Sequence, residues 1–406
     1  MKILQLCKKF PYPAKDGEAI AVLHMSKALT ANGCEVSLLA MNTSRHFVNL
    51  DKGLPPELNY YKEVQYVSVD NRIRWYEAFK NLFRKESYHI SRFISEEYSQ
   101  RLISFLQNNK FDVIQLETLY LAPFLPVIKK YSDALIVLRA HNIEHEIWSR
   151  IASQVKFIPK KLYLHYLSSK LKKFEINTLN DCDFLVAITE RDLAHFKSLG
   201  YKNGCVSSPV GFDLSQYHPN YSAYAKPMRI SFIGSLDWMP NIEAIRWFLA
   251  EVWPQVNKRF PDLEFHFAGR NAPNDLANIS IPQVFYHPEV IDAKQFMLNY
   301  PVLIVPIFAG SGIRVKILEA MALGRVVITT SIGLEGIPAR HKDQVILANS
   351  VDDFLESIQQ CYNQYPKIIK IGENAHHFVS NHFDSSKLAG KLIHAYKKVL
   401  NSHTHQ

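Results

Sequence analysis

The segment VLIVPIFAGSGIRVKILEAMALGRVVIT, residues 302–329, shows the pattern on which the whole fold is built. Its two ends, Val302–Val305 and Val326–Thr329, are short runs rich in Val, Ile and Leu, as in strands that are buried on both faces. The stretch between them, Ile313–Leu323, is predicted to be a helix. A strand, a helix and a second strand in this order indicate two parallel strands joined by a crossover helix.

The same alternation of strands and helices runs along most of the chain. It pauses at residues 219–227, where proline, asparagine and serine make the best candidate for a linker. In the first half, Glu18–Asn32 is the clearest helix, and Gly33 is placed to end it. The other predicted strands are Lys2–Cys7, Glu35–Ala40, Val64–Val69, Asp112–Leu116, Ala134–Ala140 and Phe184–Ile188, then Arg229–Ile233 and Leu263–Ala268. The other predicted helices are Asn241–Phe260, Asp352–Cys361 and Ser385–Leu400.

Two complete alternating units predict two doubly wound α/β domains, each with a parallel sheet and helices on both faces. A length of 406 residues also favours two domains over one. We expect an N-terminal domain over residues 1–222 and a C-terminal domain over residues 223–384. The last helix, within residues 385–406, is expected to pack back toward the first domain.

The composition is that of a globular protein, with 47% hydrophobic and 21% charged residues. The N-terminus lacks the pattern of a signal peptide, and no apolar run reaches the roughly 20 residues of a membrane-spanning helix. The five cysteines are scattered, odd in number and without CxxC spacing. These features predict a reduced, cytoplasmic location.

The chain is basic, with a formal net charge of +9. Such a charge suits nucleic acid, an anionic membrane surface or an anionic substrate. No helix-turn-helix, zinc-finger or RRM pattern is present, so we expect no nucleic-acid partner. The lysines and arginines concentrate beside aromatic residues in two stretches, 72–85 and 156–173.

The stretch 72–85 is amphipathic at helical spacing, with Trp75, Phe79, Leu82 and Phe83 on one side and cations around them. A basic helix of this kind suits an anionic bilayer interface. The same pattern also occurs in helices that pack on their own core. Both interpretations stay open, and the first favours a protein that is peripheral at the inner face of the membrane, with a lipid-linked acceptor.

The loop Gly310-Ser311-Gly312 lies between a predicted buried strand and a predicted helix. Free backbone N–H groups at a helix start, with the positive end of the helix dipole, form a ready site for an anion. Arg314 and Lys316 add positive charge at the helix end where cations are least stable, a conflict that an anionic ligand would resolve. The alternative is a surface ion pair between Lys316 and Glu319, but the glycine-rich loop favours the ligand.

These residues also carry a family resemblance. The segment from Gly310 to Gly324, followed by Val326–Thr329 and Gly333–Gly336, resembles the donor-binding segment of glycosyltransferase family four, the group 1 glycosyltransferases. Similar segments occur in the expected order from residue 3 to about residue 337. They include Pro11–Gly17, Gly33–Val36, Val186–Asp192, Pro209–Asp213 and Phe232–Asn241.

The resemblance implies the GT-B fold, in which two Rossmann-like domains face a central cleft. It implies that the C-terminal domain binds a nucleotide-sugar donor and the N-terminal domain binds a saccharide or lipid-linked acceptor. The expected reaction retains the anomeric configuration and needs neither a metal nor a cofactor other than the donor substrate. The expected process is the synthesis of a cell-surface polysaccharide or glycoconjugate.

The resemblance also implies roles for individual residues. Glu319 would bind the ribose hydroxyls of the donor. From their charge and position, we interpret Arg314 and Lys316 as the residues that hold the diphosphate and stabilise the charge that develops as it leaves. The other predicted donor contacts are Gly234, Gly310, Ser311, Gly312 and Ile313.

Two departures from the family pattern leave questions open. Ser311 stands where the first Glu of a paired-Glu motif would contact the transferred sugar, so the identity of the sugar is open. That serine also supports the alternative of a non-catalytic sugar-nucleotide-binding or scaffolding protein of the same fold. Ser235 and Asn241 stand where many relatives carry Arg and Lys, and we interpret Arg314 and Lys316 as the replacement charge.

In the first half of the chain, His141 directly follows a predicted strand, and ligands of doubly wound sheets bind beyond the carboxyl ends of strands. The resemblance implies that this histidine touches the donor sugar near the reacting carbon, as a catalytic residue. The structural alternative is a helix start, with Asn142 as its cap and Glu144 and Glu146 in its first turn. His145 is interpreted as structural.

Three further patterns bear on the kind of ligand site and on the class of enzyme. Gly17 lies between the first strand and the first helix, where a small residue lets the backbone approach a phosphate or merely turns the chain. Asp181-Cys182-Asp183 resembles the metal-binding pair of other glycosyltransferases, but it precedes a buried strand as a turn would, so no metal site is predicted. The absence of GxGxxG and GxSxG motifs argues against a nicotinamide oxidoreductase and a serine hydrolase.

Overall fold

The computed structural model describes residues 1–14, 17–51, 53–72, 81, 87–155, 157–309 and 313–403. The chain divides into two compact units. The first consists of Met1–Phe212 and Ser385–Gln406, and the second consists of Asp213–Asp384. Two doubly wound α/β units were predicted, and the α/β class is confirmed by the all-parallel sheets described below.

The second unit begins before the predicted boundary at residue 222. Polar contacts tie the residues from Asp213 onward to the rest of the second unit. The Tyr217 hydroxyl donates to Glu319 Oε1 at 2.9 Å, and the Arg325 guanidinium donates to the carbonyl oxygen of Asn220. The Tyr224 hydroxyl donates to the carbonyl oxygen of Gly324 at 2.8 Å. The pause in the strand and helix pattern thus lies inside the second unit.

The first unit contains a seven-stranded, all-parallel sheet with the strand order β3-β2-β1-β4-β5-β6-β7. Its strands are β1 (Lys2–Cys7), β2 (Glu35–Thr43), β3 (Glu63–Val69), β4 (Val113–Leu116), β5 (Leu135–Ala140), β6 (Phe184–Ala187) and β7 (Gly204–Ser207). Its α-helices are α1 (Gly17–Ala31), α2 (Tyr88–Ser91), α3 (Glu96–Asn108), α4 (Leu125–Tyr131), α5 (Glu144–Gln154), α6 (Ile158–Leu179) and α7 (Glu190–Ser198).

The second unit contains a six-stranded, all-parallel sheet with the order β10-β9-β8-β11-β12-β13. Its strands are β8 (Arg229–Ile233), β9 (Glu264–Ala268), β10 (Val284–His287), β11 (Val302–Val305), β12 (Val326–Thr329) and β13 (Ile346–Leu347). Its helices are α8 (Met239–Trp247), α9 (Trp253–Arg259), α10 (Asn274–Ala277), α11 (Ala293–Leu298), α12 (Val315–Ala322), α13 (Val351–Asn363) and α14 (Tyr365–His382).

The last helix, α15 (Ser385–His403), belongs to the first unit. Its apolar face lies in the core that α1 and one face of the first sheet share, through Leu388, Leu392 and Tyr396. The Tyr396 ring is fully buried, and its hydroxyl donates to Gln115 Oε1 on β4 at 2.7 Å. This helix therefore completes the core of the unit in which the chain begins.

The long helix predicted over Asn241–Phe260 is interrupted. It is split into α8, a π-helical segment at Phe248–Val252, and α9. Pro254 explains the break, because proline has no N–H to donate and its ring crowds the carbonyl one turn earlier. Three short edge strands, β7, β10 and β13, were not predicted. An edge strand is covered on fewer sides, so it need not be a continuous apolar run.

Both sheets have the strand order in which the chain reverses its winding direction, between β1 and β4 in the first and between β8 and β11 in the second. At such a reversal the loops after neighbouring strands diverge and leave a crevice at the carboxyl edge. Any ligand site of either unit is therefore expected at these two edges.

No helix in the described part of the chain is long and apolar enough to cross a bilayer. The amphipathic stretch 72–85 lies almost wholly outside the described residues, which include only Arg72 and Asn81 of it.

Candidate functional site

The predicted donor loop is described only in part. Gly310, Ser311 and Gly312 lie outside the described residues, and the half-buried Ile313 follows them. Helix α12 starts two positions later than predicted, so that Arg314 occupies its N-cap position and Lys316 lies in its first turn. Both cations thus lie at the N-terminal end of a helix that follows β11, at the carboxyl edge of the second sheet.

Lys316 is held by residues that follow β8, across the reversal of the sheet. Its Nζ donates to Asn241 Oδ1 at 2.8 Å, and Asn241 Nδ2 donates to the carbonyl oxygen of Ser235 at 2.8 Å. Gly234 makes this contact possible. A Cβ at this position would lie 2.5 Å from Lys316 Nζ and 2.8 Å from Asn241 Nδ2. The predicted residues Gly234 and Lys316 are therefore neighbours in space.

The environment of Lys316 is unfavourable for a cation. Its Nζ makes a cation–π contact 4.2 Å from the centroid of the Phe232 ring, but its one described hydrogen-bond acceptor is a neutral amide and not a carboxylate. Burial, and secondarily the charge of Arg314, lower the pKa of Lys316 to about 7. A bound anion would reverse this shift, because an opposite charge favours the protonated form.

This pKa predicts that Lys316 takes up a proton if the diphosphate of a donor binds beside it. At pH 8 much of Lys316 is neutral in the free protein, and a bound diphosphate would protonate it. We expect sugar-nucleotide binding to take up close to one proton at pH 8 and to weaken as the pH rises above 7. Calorimetry in two buffers of different ionisation enthalpy measures this uptake, since a sugar-nucleotide diphosphate does not itself titrate there. Uptake that persists unchanged in Lys316→Met would contradict the assignment.

Arg314 lies beside Lys316 and is almost fully buried, with 5% of its surface exposed. Burial lowers its pKa, an effect that the charge of Glu335 partly offsets. Its guanidinium carbon lies 5.9 Å from the centroid of the Trp238 ring. The two cations thus lie together in a partly desolvated position, where an electrostatic interaction with an anion is stronger than in water.

Glu319 lies one turn further along α12, with its own partner. The Tyr217 hydroxyl donates to Glu319 Oε1 at 2.9 Å, and Lys294 Nζ lies 4.6 Å from the Tyr217 ring centroid. Burial raises the pKa of Glu319, while the Tyr217 hydrogen bond and Lys294 oppose that shift. Lys316 and Glu319 therefore have different hydrogen-bond partners. Glu319 has a second carboxylate oxygen with which to accept hydrogen bonds from a ligand.

In the first unit the central group is Glu117, which directly follows β4 and is fully buried. Its carboxylate accepts hydrogen bonds from Gln5, Gln115, Arg139 and His141. Burial opposes ionisation, but the charge of Arg139 and the hydrogen bonds from His141 and Gln5 lower the pKa of Glu117 to about 2. Glu117 is thus an ionised carboxylate at neutral pH.

His141 directly follows β5, as predicted, and Glu117 orients it. The distance from His141 Nε2 to Glu117 Oε2 is 2.9 Å. An ionised carboxylate only accepts hydrogen bonds, so Nε2 must carry the proton. This leaves Nδ1 as the ring nitrogen that can accept a hydrogen bond from a ligand, with the ring held against the carboxyl edge of the first sheet.

Helix α5 has Glu144 and Glu146 in its first turn, as the structural alternative predicted, but its cap is different. Its N-cap position is Ile143, without a side-chain cap, so the predicted cap Asn142 is wrong. Glu175 of α6 supplies the cap instead, since its carboxylate accepts the backbone N–H groups of Glu144 and His145. The same carboxylate lies 2.6 Å from His145 Nδ1, which gives that histidine a structural role.

The loop after β1 brings cations toward His141. Glu18, at the start of α1, pairs with Lys8 at 3.2 Å and with Lys9 at 3.8 Å. Against the effect of burial, the charges of Lys8, Lys9 and His141 lower the pKa of Glu18. The neighbouring Gly17 is the first residue of α1, and a Cβ there would meet nothing within 4 Å. Packing therefore does not require glycine at this position.

The aspartates of Asp181-Cys182-Asp183 have local partners. Asp183 Oδ2 accepts the backbone N–H of Ile136 at 2.8 Å, and Asp181 Oδ1 lies 3.6 Å from Lys129 Nζ. Across the described ranges, no group of three His, Cys, Asp or Glu side chains could hold a metal ion.

Sequence analysis missed Glu117, Arg139 and Tyr217. Glu117 and Arg139 could have been noticed, because each is a charged residue next to or inside an apolar strand, a position where a charge needs a partner. Tyr217 gave no such indication, because it lies in an irregular stretch just before the residues that were interpreted as a linker.

The chain is similar to known proteins in sequence and in fold. Residues 227–364 match the family described as "Glycosyl transferases group 1". This stretch covers β8 to α13 and contains Lys316, Asn241, Gly234 and Glu319. Over 407 aligned residues the chain is also 26% identical to a Klebsiella pneumoniae protein described as an uncharacterized 44.6 kDa protein in the cps region, covering 97% of this chain and 99% of that protein.

Solved structures share the fold along the whole chain. Sucrose-phosphate synthase from Thermosynechococcus elongatus superposes with a TM-score of 0.70 at 14% identity, covering 99% of this chain and 100% of that one. HepE from Anabaena, in complex with UDP, superposes with a TM-score of 0.66 at 15% identity, covering 98% and 100%. TarM superposes with a TM-score of 0.67 at 11% identity, covering 97% and 98%.

The predicted resemblance is therefore confirmed: the chain has the fold of the GT-B glycosyltransferases, and residues 227–364 match the family of the group 1 glycosyltransferases.

Proposed function

We propose that this glycosyltransferase moves a sugar from a nucleotide-sugar donor to a saccharide or lipid-linked acceptor. The observation that carries the proposal is the group formed by Gly234, Asn241, Lys316 and Glu319 at the carboxyl edge of the second sheet. It combines a cation for a diphosphate with a carboxylate for ribose hydroxyls, within the segment that matches the family. Solved structures of HepE hold UDP and UDP-glucose, which supports this class of donor.

The proposed process is the synthesis of a cell-surface polysaccharide or glycoconjugate in the cytoplasm. The support for it is the relative from the cps region of Klebsiella pneumoniae, which matches this chain end to end. We propose hexosyl or related sugar transfer with retention and without a metal, since Arg314 and Lys316 can supply the positive charge that a leaving diphosphate requires. Analysis of the reaction product by mass spectrometry and NMR, with the reaction run in EDTA, tests the class of sugar, the retention of configuration and the independence from metal. Activity that needs Mg²⁺ or Mn²⁺, or a product of inverted configuration, would count against the proposal.

A second candidate is a sugar-nucleotide-binding protein without catalysis. Ser311 favours it, because a serine cannot supply the carboxylate expected to contact the transferred sugar. The two functions differ in turnover: a binding protein would leave a bound sugar nucleotide intact, whereas a transferase would at least hydrolyse it slowly.

Glu319 is expected to contribute to nucleotide affinity. If its carboxylate accepts ribose hydroxyls, Glu319→Ala should weaken binding of the nucleoside diphosphate about tenfold to a hundredfold, since such charge-assisted hydrogen bonds are worth roughly 1.5–3 kcal/mol. Calorimetry measures the change. Glu251→Ala, at an exposed position of the same unit, is the matched control. Equal affinities of the Glu319 variant and the control would remove Glu319 from the site.

We also propose that the first unit contacts an anionic membrane surface. The start of α6 exposes a stripe of large apolar side chains, with Phe157 and Ile158 each 68% and Leu162 65% exposed. The exposed Lys160 lies in the same turn. Apolar and cationic side chains together suit the interface of an anionic bilayer.

Liposome flotation tests this contact. Binding should require anionic lipid, fade as salt screens the charges, and fall in the double variant Ile158→Ser/Leu162→Ser. Protein that stays in solution with anionic vesicles at low salt would end the membrane proposal and the preference for a lipid-linked acceptor.

A further inference from the structure

A cavity of about 250 Å³ lies in the first unit. Its walls come from the loops after β1, β2 and β3, from the start of α1, and from residues next to α2. These loops meet at the carboxyl edge of the first sheet, the edge from which ligands of doubly wound units are bound.

The walls of this cavity are strongly cationic. Four cationic side chains line it, namely Lys8, Lys9, Arg45 and Arg92, against the single carboxylate of Glu18. Glu18 pairs with the two lysines. The two arginines therefore have no counter-charge on the cavity wall. Four cations that converge on one carboxylate cost stability unless an anion binds among them.

Two polar groups on the wall lack a partner within the described residues. Arg92 donates from Nη1 to the carbonyl oxygen of Asn71 at 3.4 Å, while its Nε is buried without an acceptor. The hydroxyl of Thr43, a residue with no exposed surface, is also buried without a hydrogen bond. A buried polar group without a partner is costly, and the half-buried Arg92 guanidinium could donate to an oxyanion in the cavity.

The opposite wall is aromatic and rigid. Trp148 Nε1 donates to the Tyr120 hydroxyl at 3.0 Å, and that hydroxyl donates to Glu144 Oε2 at 2.8 Å. The Trp148 ring also stacks on His89, with the ring centroids 3.7 Å apart. Tyr120 and Trp148 thus line the cavity with their polar edges satisfied, and Lys8 Nζ lies 4.3 Å from the centroid of the Tyr120 ring. Aromatic walls with a few convergent charged groups are typical of sites for small polar molecules.

Glu18 also lines the cavity, and His141, whose ring Glu117 orients, is among the groups that lower the pKa of the Glu18 carboxyl. The volume of about 250 Å³ is below the roughly 300–1,000 Å³ of sites for drug-sized ligands, and it suits one sugar ring with a charged substituent.

We propose that this cavity is the acceptor subsite and that it recognises a sugar bearing an anionic group, either a phosphate or a carboxylate. The inference rests on the proposed function, which it deepens by naming the class of acceptor. Arg45 and Arg92 hold the anionic group, and Tyr120 and Trp148 pack against the sugar ring. The acceptor is thereby selected by charge as well as by shape.

Binding of simple sugars to the full chain tests the proposal without a donor. Glucose 6-phosphate, glucuronate and glucose are compared by ligand-observed NMR or calorimetry. We expect at least one of the charged sugars to bind at least tenfold more tightly than glucose. The double variant Arg45→Ala/Arg92→Gln should lower that affinity to the level of glucose. Arg101→Ala, at an exposed position on α3, should leave it unchanged.

The pattern of affinities identifies the source of the charge. Tighter binding of glucose 6-phosphate indicates a phosphorylated acceptor. Binding of a sugar diphosphate on a short isoprenoid chain then tests whether that acceptor is lipid-linked. Preference for glucuronate indicates an acidic sugar. Equal affinity for all three sugars, or an unchanged affinity in the double variant, overturns the proposal. The proposed function is judged separately by donor turnover, so the two failures are distinguishable.

Discussion

Lys316→Met should reduce turnover of the sugar nucleotide by about 10²- to 10³-fold, the usual loss when one preorganised donor to a developing charge is removed. Methionine is similar in length and can occupy the space beside the Phe232 ring, so the substitution removes mainly the charge and the hydrogen bond to Asn241. The free energy of unfolding should stay equal or rise slightly, because a half-buried cation is replaced by an apolar side chain.

The matched control is Lys258→Met, which removes a lysine at an exposed position of the same unit. Its turnover and its melting temperature should both equal those of the unmodified protein. A Lys316 variant that loses stability and activity in the same proportion would show that Lys316 serves the fold and not the donor.

Glu117→Ala should lower the free energy of unfolding by about 3–5 kcal/mol, because it leaves the fully buried Arg139 without its counter-charge. Such a loss is a large part of the roughly 5–15 kcal/mol that stabilises a domain. Urea unfolding measures it. The stabilisation should be complete above the pKa of about 4.5 that an unfolded glutamate has, and it should fade as the pH falls toward the folded pKa of about 2.

Glu97→Ala, at an exposed position on α3, is the control and should change the free energy of unfolding by less than about 0.5 kcal/mol. If Glu117→Ala does not fold, Glu117→Gln provides the same test, since it keeps the side-chain volume and removes the charge. A Glu117 variant as stable as the control would mean that Arg139 does not depend on this carboxylate. If Glu117→Gln binds the donor as tightly as the unmodified protein but turns it over more slowly, the substitution acts through His141.

Residues 302–329 show how much of the fold could be predicted. Buried central strands are apolar on both faces, so β8, β11 and β12 were recognisable from composition alone, with bounds that differ little from those of the structure. Edge strands carry no such pattern, and β13 has only two residues. The break between α8 and α9 was not predicted, because the spacing of apolar residues takes no account of Pro254.

The candidate site was predictable where its residues share one short segment. Arg314, Lys316 and Glu319 lie within six positions of each other, so a glycine-rich loop and helical spacing sufficed to group them. The partners Asn241 and Tyr217 come from distant parts of the chain and meet α12 only through the fold. The same holds for the cavity of the first unit, whose cations follow β1, β2 and α2.

Release of nucleoside diphosphate from a sugar nucleotide by the purified chain, measured in EDTA across a panel of donors, tests the proposed transferase most directly. We expect one donor class to be consumed over many turnovers, slowly by hydrolysis alone and faster with an acceptor that carries a phosphate or a carboxylate. A sugar nucleotide that binds, as judged by thermal shift, but is recovered intact at every protein concentration would contradict glycosyl transfer and identify a sugar-nucleotide-binding protein.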